Sequence, residues 1–456
     1  MRLLPNHVLR PIAVGLAVTL LAAGCGGRGG TTADTPGPTA AGSDPVTSPG
    51  AVDPASVTGT LNIWTYPQGD DETAIKEHIK EFRTRYPNLK VELLVIAEGD
   101  PYAQKVNTAL RSGAPPEIAI IEDRSWIKAG RVMDVRPYYE QWGVSVEDFS
   151  PGGLSRATVD GDVTGPIYGV GDFLGGNILV YNKAMFDAAG IEHPPADRSL
   201  HISEYADICR GIAKPDPDPN KSVYGCSMPE WSVGIQNKDV FGEDGRTAEG
   251  NMNSPEMVEA WNIAAALQRE RLAPGGEVLE AAGESDRFAA GQVGITWSDF
   301  TEVGKYEEQG IDFGIAPFFV IKEGESFVDT YTGAWGTFND APNKVAALEF
   351  LKYLATDGQQ KRLEVSEDPP LSISVANEAG YGEDDPIKAQ YLEVLEQSAK
   401  PQVFVPPGVE AWDPAEVMRL MTVENQTDSK PILDEMARQS QEELDEVWTR
   451  WDDLGN

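Results

Sequence analysis

After residue 58 the apolar positions switch between two periods. Leu61-Asn62-Ile63-Trp64 reads as a strand. Ile75, Ile79, Phe82 and Tyr86 recur on one helical stripe, which Pro87-Asn88 stops. Val91, Leu93 and Val95 alternate as a second strand. Residues 102–113 (YAQKVNTALRSG) read as a helix, with Gly113 suited to a left-handed C-cap. Residues 117–121 give a third strand. Strands taking turns with helices predict an α/β fold whose parallel sheet is covered on both faces.

The same pattern continues downstream. Ser254-Pro255-Glu256 opens a helix carrying Val258, Trp261 and Ala265, with Ser as N-cap and Pro in the first turn. Further helices are expected over 342–356 (Ala347, Phe350, Leu351, Leu354) and 431–451, with strands at 292–297 and 311–320. No repeat of fixed period occurs.

The N-terminus has a different character. Arg2 and Arg10 are the only charges before residue 25, and residues 12–23 (IAVGLAVTLLAA) form one apolar run. A basic start, a short apolar run and small residues before a cleavage point read as an export signal over 1–24. The run is too short to span a bilayer comfortably. Ala22-Ala23-Gly24-Cys25, after Leu20 and Leu21, resembles a bacterial lipobox, with Ala22 where Leu is usual. That resemblance implies a diacylated Cys25 as the mature N-terminus. Residues 26–57 hold no aromatic residue and almost no large aliphatic one, so 25–57 is expected to be a flexible tether. Acyl chains anchor a protein without spanning the membrane. The predicted place is therefore the outer face of the cytoplasmic membrane.

The chain has 456 residues, 41% of them hydrophobic and 24% charged, enough for two or three domains with sizeable cores. A net charge of −36 argues against nucleic acid as a partner, because phosphate contacts need clustered Lys and Arg. Three cysteines occur. With Cys25 assigned to lipid, Cys209 and Cys226 remain in an oxidising compartment, where a disulfide across the intervening loop is expected and two buried thiols are the alternative.

Several motifs are similar to those of extracellular solute-binding protein family 1, the maltose-binding-protein-like receptors of ABC importers. They are Gly59-Thr60-Leu61-Asn62-Ile63-Trp64 with Tyr86-Pro87-Asn88; Ser112-Gly113-Ala114-Pro115-Pro116-Glu117; Tyr181-Asn182-Lys183 with Phe186 and Ala189-Gly190; Phe288-Ala289-Ala290-Gly291; and the helix around Ala346-Ala347 with Glu349-Phe350-Leu351. The chain departs from the family at Val170 and at His201-Ile202-Ser203-Glu204. The resemblance implies two discontinuous α/β lobes, 58–170 with 314–370 and 171–313 with 371–456. Crossings would fall near 169–175, 312–316 and 369–374. It also implies a ligand in the cleft, a permease partner, no cofactor, no metal and a monomeric chain.

Clefts in open α/β sheets lie at strand C-terminal ends, so aromatic and carboxylate residues there are the candidates. These are Trp64 and Tyr66, Glu122 and Asp123, Asp172 and Phe173, Asn177, Trp231, Trp297 and Asp299, Tyr331, Gly333 and Trp335, and Trp412. If the third strand continues, only one of Glu122 and Asp123 faces the cleft. Trp261, Trp448 and Trp451 fit helix stripes and read as core, Trp142 as a helix-end residue, and His78 as exposed. An aromatic face covers the C–H side of a sugar, and carboxylates accept its hydroxyls. A mono- or oligosaccharide is therefore the expected ligand. The same residues could cage a polyamine or quaternary ammonium. An exported glycoside hydrolase is the third reading. Among 73 acidic residues any carboxylate pair is cheap to find, and no His-Glu-x-x-His, Gly-x-Ser-x-Gly or phosphate-loop motif occurs. No enzymatic activity is expected.

Overall fold

The computed structural model describes residues 52–66, 71–281 and 283–454. The expected signal peptide and Cys25 lie outside these residues. Of the expected tether only 52–57 is described, and this end is ordered. Asp53 accepts a hydrogen bond from the Ala55 N–H, Asn88 Nδ2 donates to the Ala55 carbonyl, and Val57 is buried. No described helix is long and apolar enough to cross a membrane.

Two sheets organise the body. In the first, β1 (Gly59–Thr65) lies between β2 (Leu89–Val95) and β3 (Ile118–Ile120), both parallel to it. The helices Asp71–Arg85 and Asp100–Ser112 make the crossovers. The stripe Ile75, Ile79, Phe82 and Tyr86 is buried, as its spacing requires. The second sheet is built on β4 (Gly175–Asn182), flanked by antiparallel β6 (Val293–Asp299), β7 (Phe313–Ala316) and β8 (Val328–Tyr331). β5 (Tyr224–Cys226) runs parallel to β6. A short return strand, β9 (Trp335–Gly336), pairs antiparallel with β3 in the first sheet, and β10 (Ala399–Lys400) pairs with β8 in the second. The purely parallel sheet expected from sequence is thus mixed, because the chain crosses between sheets and re-enters each in reverse.

Sheet membership also moves one boundary. Residues 314–331 were expected in the first lobe, with a crossing near 312–316. β7 and β8 hydrogen-bond to β4, so the chain returns to the first sheet between Tyr331 and Trp335. The first crossing is pinned to this return by the pairing of Val170 with Trp335, and to the third by the Leu174 N–H donating to the Pro369 carbonyl.

Two core clusters form, and the first spans both sheets, taking in Phe300, Phe313, Val328 and Tyr391. One cluster joins β1–β3 with Phe350, Leu351 and Leu354 of the helix Lys344–Ala355 and extends to one face of β4. The other joins the opposite face of β4 with the helices Ile202–Ile212, Pro255–Arg269 and Lys430–Asp453. Cys209 and Cys226 are bonded, with Cα atoms 4.9 Å apart, tying Ile202–Ile212 to β5. Gly225 lies so close to the Cys209 carbonyl that a side chain there would collide with it.

Candidate functional site

A cleft of about 1760 Å³ opens between the two sheets. The first lobe contributes Tyr66, just after β1, Glu98 and Ala103 at the start of the helix Asp100–Ser112, and Glu122 to Arg124 after β3. The second contributes Asn177 of β4, Trp297 to Asp299 of β6, Tyr331 of β8, Trp231, and the segment 402–405. Phe173, Thr332 and Asp368 come from the crossings.

One wall is aromatic. Trp231 and Trp297 meet edge to face with centroids 4.9 Å apart, and Phe318 supports Trp231 from behind. Phe173 and Tyr331 form a second edge-to-face pair at 6.0 Å. Burial, with Asp299 alongside, pushes the Tyr331 hydroxyl well above its ordinary pKa, so it remains a donor.

The rest of the lining and its support are charged and polar. Glu122 is pushed up to about 7 by desolvation, reinforced by Glu98 and Asp123. Arg124 is pulled down to about 10 by burial and by the neighbouring positive charge of Arg156. Arg156 is paired with Asp329 at 3.0 Å. Burial raises Asp329 despite Arg156 and the side chains of Gln402 and Asn177, which hydrogen-bond to it. The cleft thus offers aromatic rings together with acceptors and donors, and no cluster of His, Cys, Asp or Glu among the described residues could hold a metal ion.

Residues 66–361 match the family model described as bacterial extracellular solute-binding protein. The chain belongs to this family. It is 24% identical over 289 residues to a putative binding protein of Brucella abortus, covering 60% of this chain and 66% of that one. It is 22% identical over 333 residues to the maltotriose-binding protein of Pyrococcus abyssi, covering 69% and 67%. Its fold matches an ABC substrate-binding protein of Listeria monocytogenes solved in complex with cycloalternan, with a TM-score of 0.65 and 19% identity over 86% of this chain and 99% of that one. The family is one of binding proteins that act outside the cell.

In this solute-binding protein, nine of the candidates from sequence come together in the cleft: Tyr66, Glu122, Asp123, Phe173, Asn177, Trp231, Trp297, Asp299 and Tyr331. Glu122 and Asp123 both line it, against the expectation of one. β3 ends at Ile120, so strand alternation stops, and Asp123 turns to cap the helix Arg124–Lys128 by accepting from the Ser125 N–H at 2.8 Å.

Five candidates lie elsewhere. Trp64 projects from β1 away from the cleft, with Lys105 5.3 Å from its ring centre. Trp412 packs edge-on against Trp261 in the second core. Asp172, Gly333 and Trp335 line a small separate cavity behind Phe173. There Asp172 is buried and bound by three groups: His78 Nε2 at 3.2 Å, Trp335 Nε1 at 3.2 Å and Arg362 Nη1 at 3.7 Å. Burial alone would raise its carboxyl, but the His78 hydrogen bond and the Arg362 charge outweigh burial and hold it below its ordinary range. Arg362 also pairs with Asp368 at 3.3 Å and lies 4.3 Å from the Phe173 ring centre. His78, expected to be exposed, is fully buried because Nε2 donates to the Asp172 carboxylate and Nδ1 pairs with the Tyr353 hydroxyl. Of the expected core residues, Trp261 and Trp451 are buried and Trp448 is half-buried, with Nε1 donating to the Gly245 carbonyl.

Sequence reasoning missed Glu98, Arg156, Gln402 and Phe404. Phe404 carried a usable signal, an aromatic between valines just before Pro406-Pro407. The others carried none, since a lone Glu, Arg or Gln in a loop has no distinguishing pattern.

Proposed function

We propose that this protein is the lipid-anchored receptor of an ABC importer and captures an oligosaccharide by closure of its lobes. The observation that carries the ligand class is the gathering of Trp231, Trp297 and Tyr331 with the carboxylates of Glu122, Asp123 and Asp299 in one cleft. Aromatic faces take the C–H side of sugar rings, and carboxylates take hydroxyl hydrogens. A cleft of about 1760 Å³ exceeds the roughly 300–1,000 Å³ of ordinary small-molecule sites, which favours several sugar units over one. The maltotriose and cycloalternan named for two relatives are oligosaccharides, in keeping with this reading. Cys25 carries the acyl anchor, the preceding residues are removed on export, the chain acts as a monomer, and the permease recognises the closed form. The lobes we assign follow sheet membership, with the return to the first lobe after Tyr331.

A thermal-shift panel of the chain lacking residues 1–24 and carrying Cys25→Ser tests the ligand class. A ligand at about 100 times its Kd adds roughly 2.7 kcal/mol, several degrees in Tm. Shifts with maltotriose or related oligosaccharides and none with polyamines or betaines support the reading. Shifts confined to the cations replace the ligand class and keep the receptor. For the anchor, the full-length chain expressed in a bacterial host should partition into detergent, and Cys25→Ser should move it to the aqueous phase.

A further inference from the structure

Two cations on one short helix of the first lobe lie over aromatic rings of the second. The Arg124 guanidinium carbon is 5.1 Å from the Phe404 ring centre, and Lys128 Nζ is 5.8 Å from that of Trp451. The two rings pack on each other at 4.8 Å, and Trp448 meets Phe404 edge-on at 5.9 Å. Both sides are firmly mounted. Between the cations, Trp126 and Ile127 are buried in the first core, and Trp126 Nε1 donates to Asn107 Oδ1 at 3.0 Å. Trp451 ends the helix Lys430–Asp453, whose Ile432, Leu433 and Leu444 are buried in the second core. Asn237 Nδ2 donates to the Val403 carbonyl and holds the segment that carries Phe404.

Among the described residues neither cation forms an ion pair, and the Arg124 guanidinium donates to the Ser155 carbonyl at 3.1 Å. The negative ring faces, with Asp160 acting on Arg124 without an ion-pair contact, compensate these charges where they leave water. A contact made in only one arrangement of two bodies shifts their equilibrium toward that arrangement.

We propose that Arg124 and Lys128, clasped over Phe404 and Trp451, are positioning residues that bias the lobes toward closure and slow the escape of bound solute. This goes beyond the receptor reading and does not depend on which solute is bound. Arg124 and Phe404 also line the cleft, whereas Lys128 and Trp451 stand outside it. Lys128 therefore separates closure from ligand contact.

The test measures inter-lobe distances by pulsed spin-label spectroscopy in the chain from residue 25 with Cys25→Ser, labelled at the exposed positions Gln104 and Glu259. Lys128→Met keeps the apolar stem and removes the charge, and Lys128→Arg keeps the charge. Without ligand, Lys128→Met should lower the closed-to-open ratio about threefold, and adding Arg124→Met should lower it further. Lys128→Arg should match the native distribution. With maltotriose as probe, the dissociation rate should rise in Lys128→Met while association changes little. Distance distributions that coincide for the native chain, Lys128→Met and the double variant overturn the proposal. So does a Lys128→Arg chain that behaves like Lys128→Met.

Discussion

Glu122 gives the cleft a pH response. In the unfolded chain it ionises near 4.5, whereas in the folded cleft desolvation and the nearby Glu98 and Asp123 raise this to about 7. An acid whose folded pKa is raised favours the folded state fully below its unfolded value, and that contribution is lost as pH rises to the folded value. Glu122→Gln should therefore flatten part of the decline in stability between about pH 4.5 and about pH 7, read from denaturant midpoints. If stability of the two chains falls in parallel across that window, Glu122 titrates normally. Trp297 works differently, through its face. Trp297→Ala removes a cleft wall and the edge contact to Trp231, and should weaken oligosaccharide binding by at least about tenfold, or ~1.4 kcal/mol. Calorimetry with maltotriose measures this, and an unchanged Kd would take Trp297 out of the binding wall.

Individual elements are held by a few buried links. Arg362, on the helix Asp357–Arg362, lies between Asp172 of the first crossing and Asp368 of the third, and all three are nearly inaccessible to water. Removing one partner leaves the others charged and buried. Arg362→Met should cost about 3–5 kcal/mol in chemical denaturation, far more than an exposed pair would. The disulfide closes a loop with a sequence separation of 17 between a helix and a strand. Replacing both Cys209 and Cys226 by Ala should cost about 3 kcal/mol, read from the denaturant midpoint, with the fold retained by the second core. These elements also mark what the sequence revealed. Ile75, Ile79, Phe82 and Tyr86 announced their helix because one buried face imposes one period, and Ser254-Pro255 announced the next by capping chemistry. His78 did not announce itself, because a polar residue beside an apolar stripe is buried only when distant groups satisfy it. Here these are Asp172 and Tyr353, 94 and 275 residues away. Trp335 and Trp412 looked like cleft aromatics from their loop settings, and packing drew both inward.

At the scale of the whole molecule, the two-lobe plan was legible from motifs, and the path between lobes was not. Sheet membership depends on pairing across the chain, so β7 and β8 could be assigned only once β4 was seen between them and β6. Net charge was legible outright, and it separates the two ligand classes. The chain carries −36 overall, and Glu98, Glu122 and Asp123 stand together on one cleft wall. A cationic ligand would be drawn by that field, so its affinity should fall steeply as salt rises from about 10 mM to about 1 M, where the Debye length shrinks from roughly 30 Å to roughly 3 Å. A neutral oligosaccharide feels no such long-range attraction. Its binding rests on ring faces and short hydrogen bonds, which screening leaves intact. Calorimetric Kd values for maltotriose should therefore stay within about twofold over the whole range of salt. The stability of the unliganded chain should rise over the same range, as self-repulsion among its acids is screened. A ligand whose affinity falls with salt while the chain grows more stable would identify the bound species as a cation, and would turn the acidic wall from a set of hydroxyl acceptors into its main binding element.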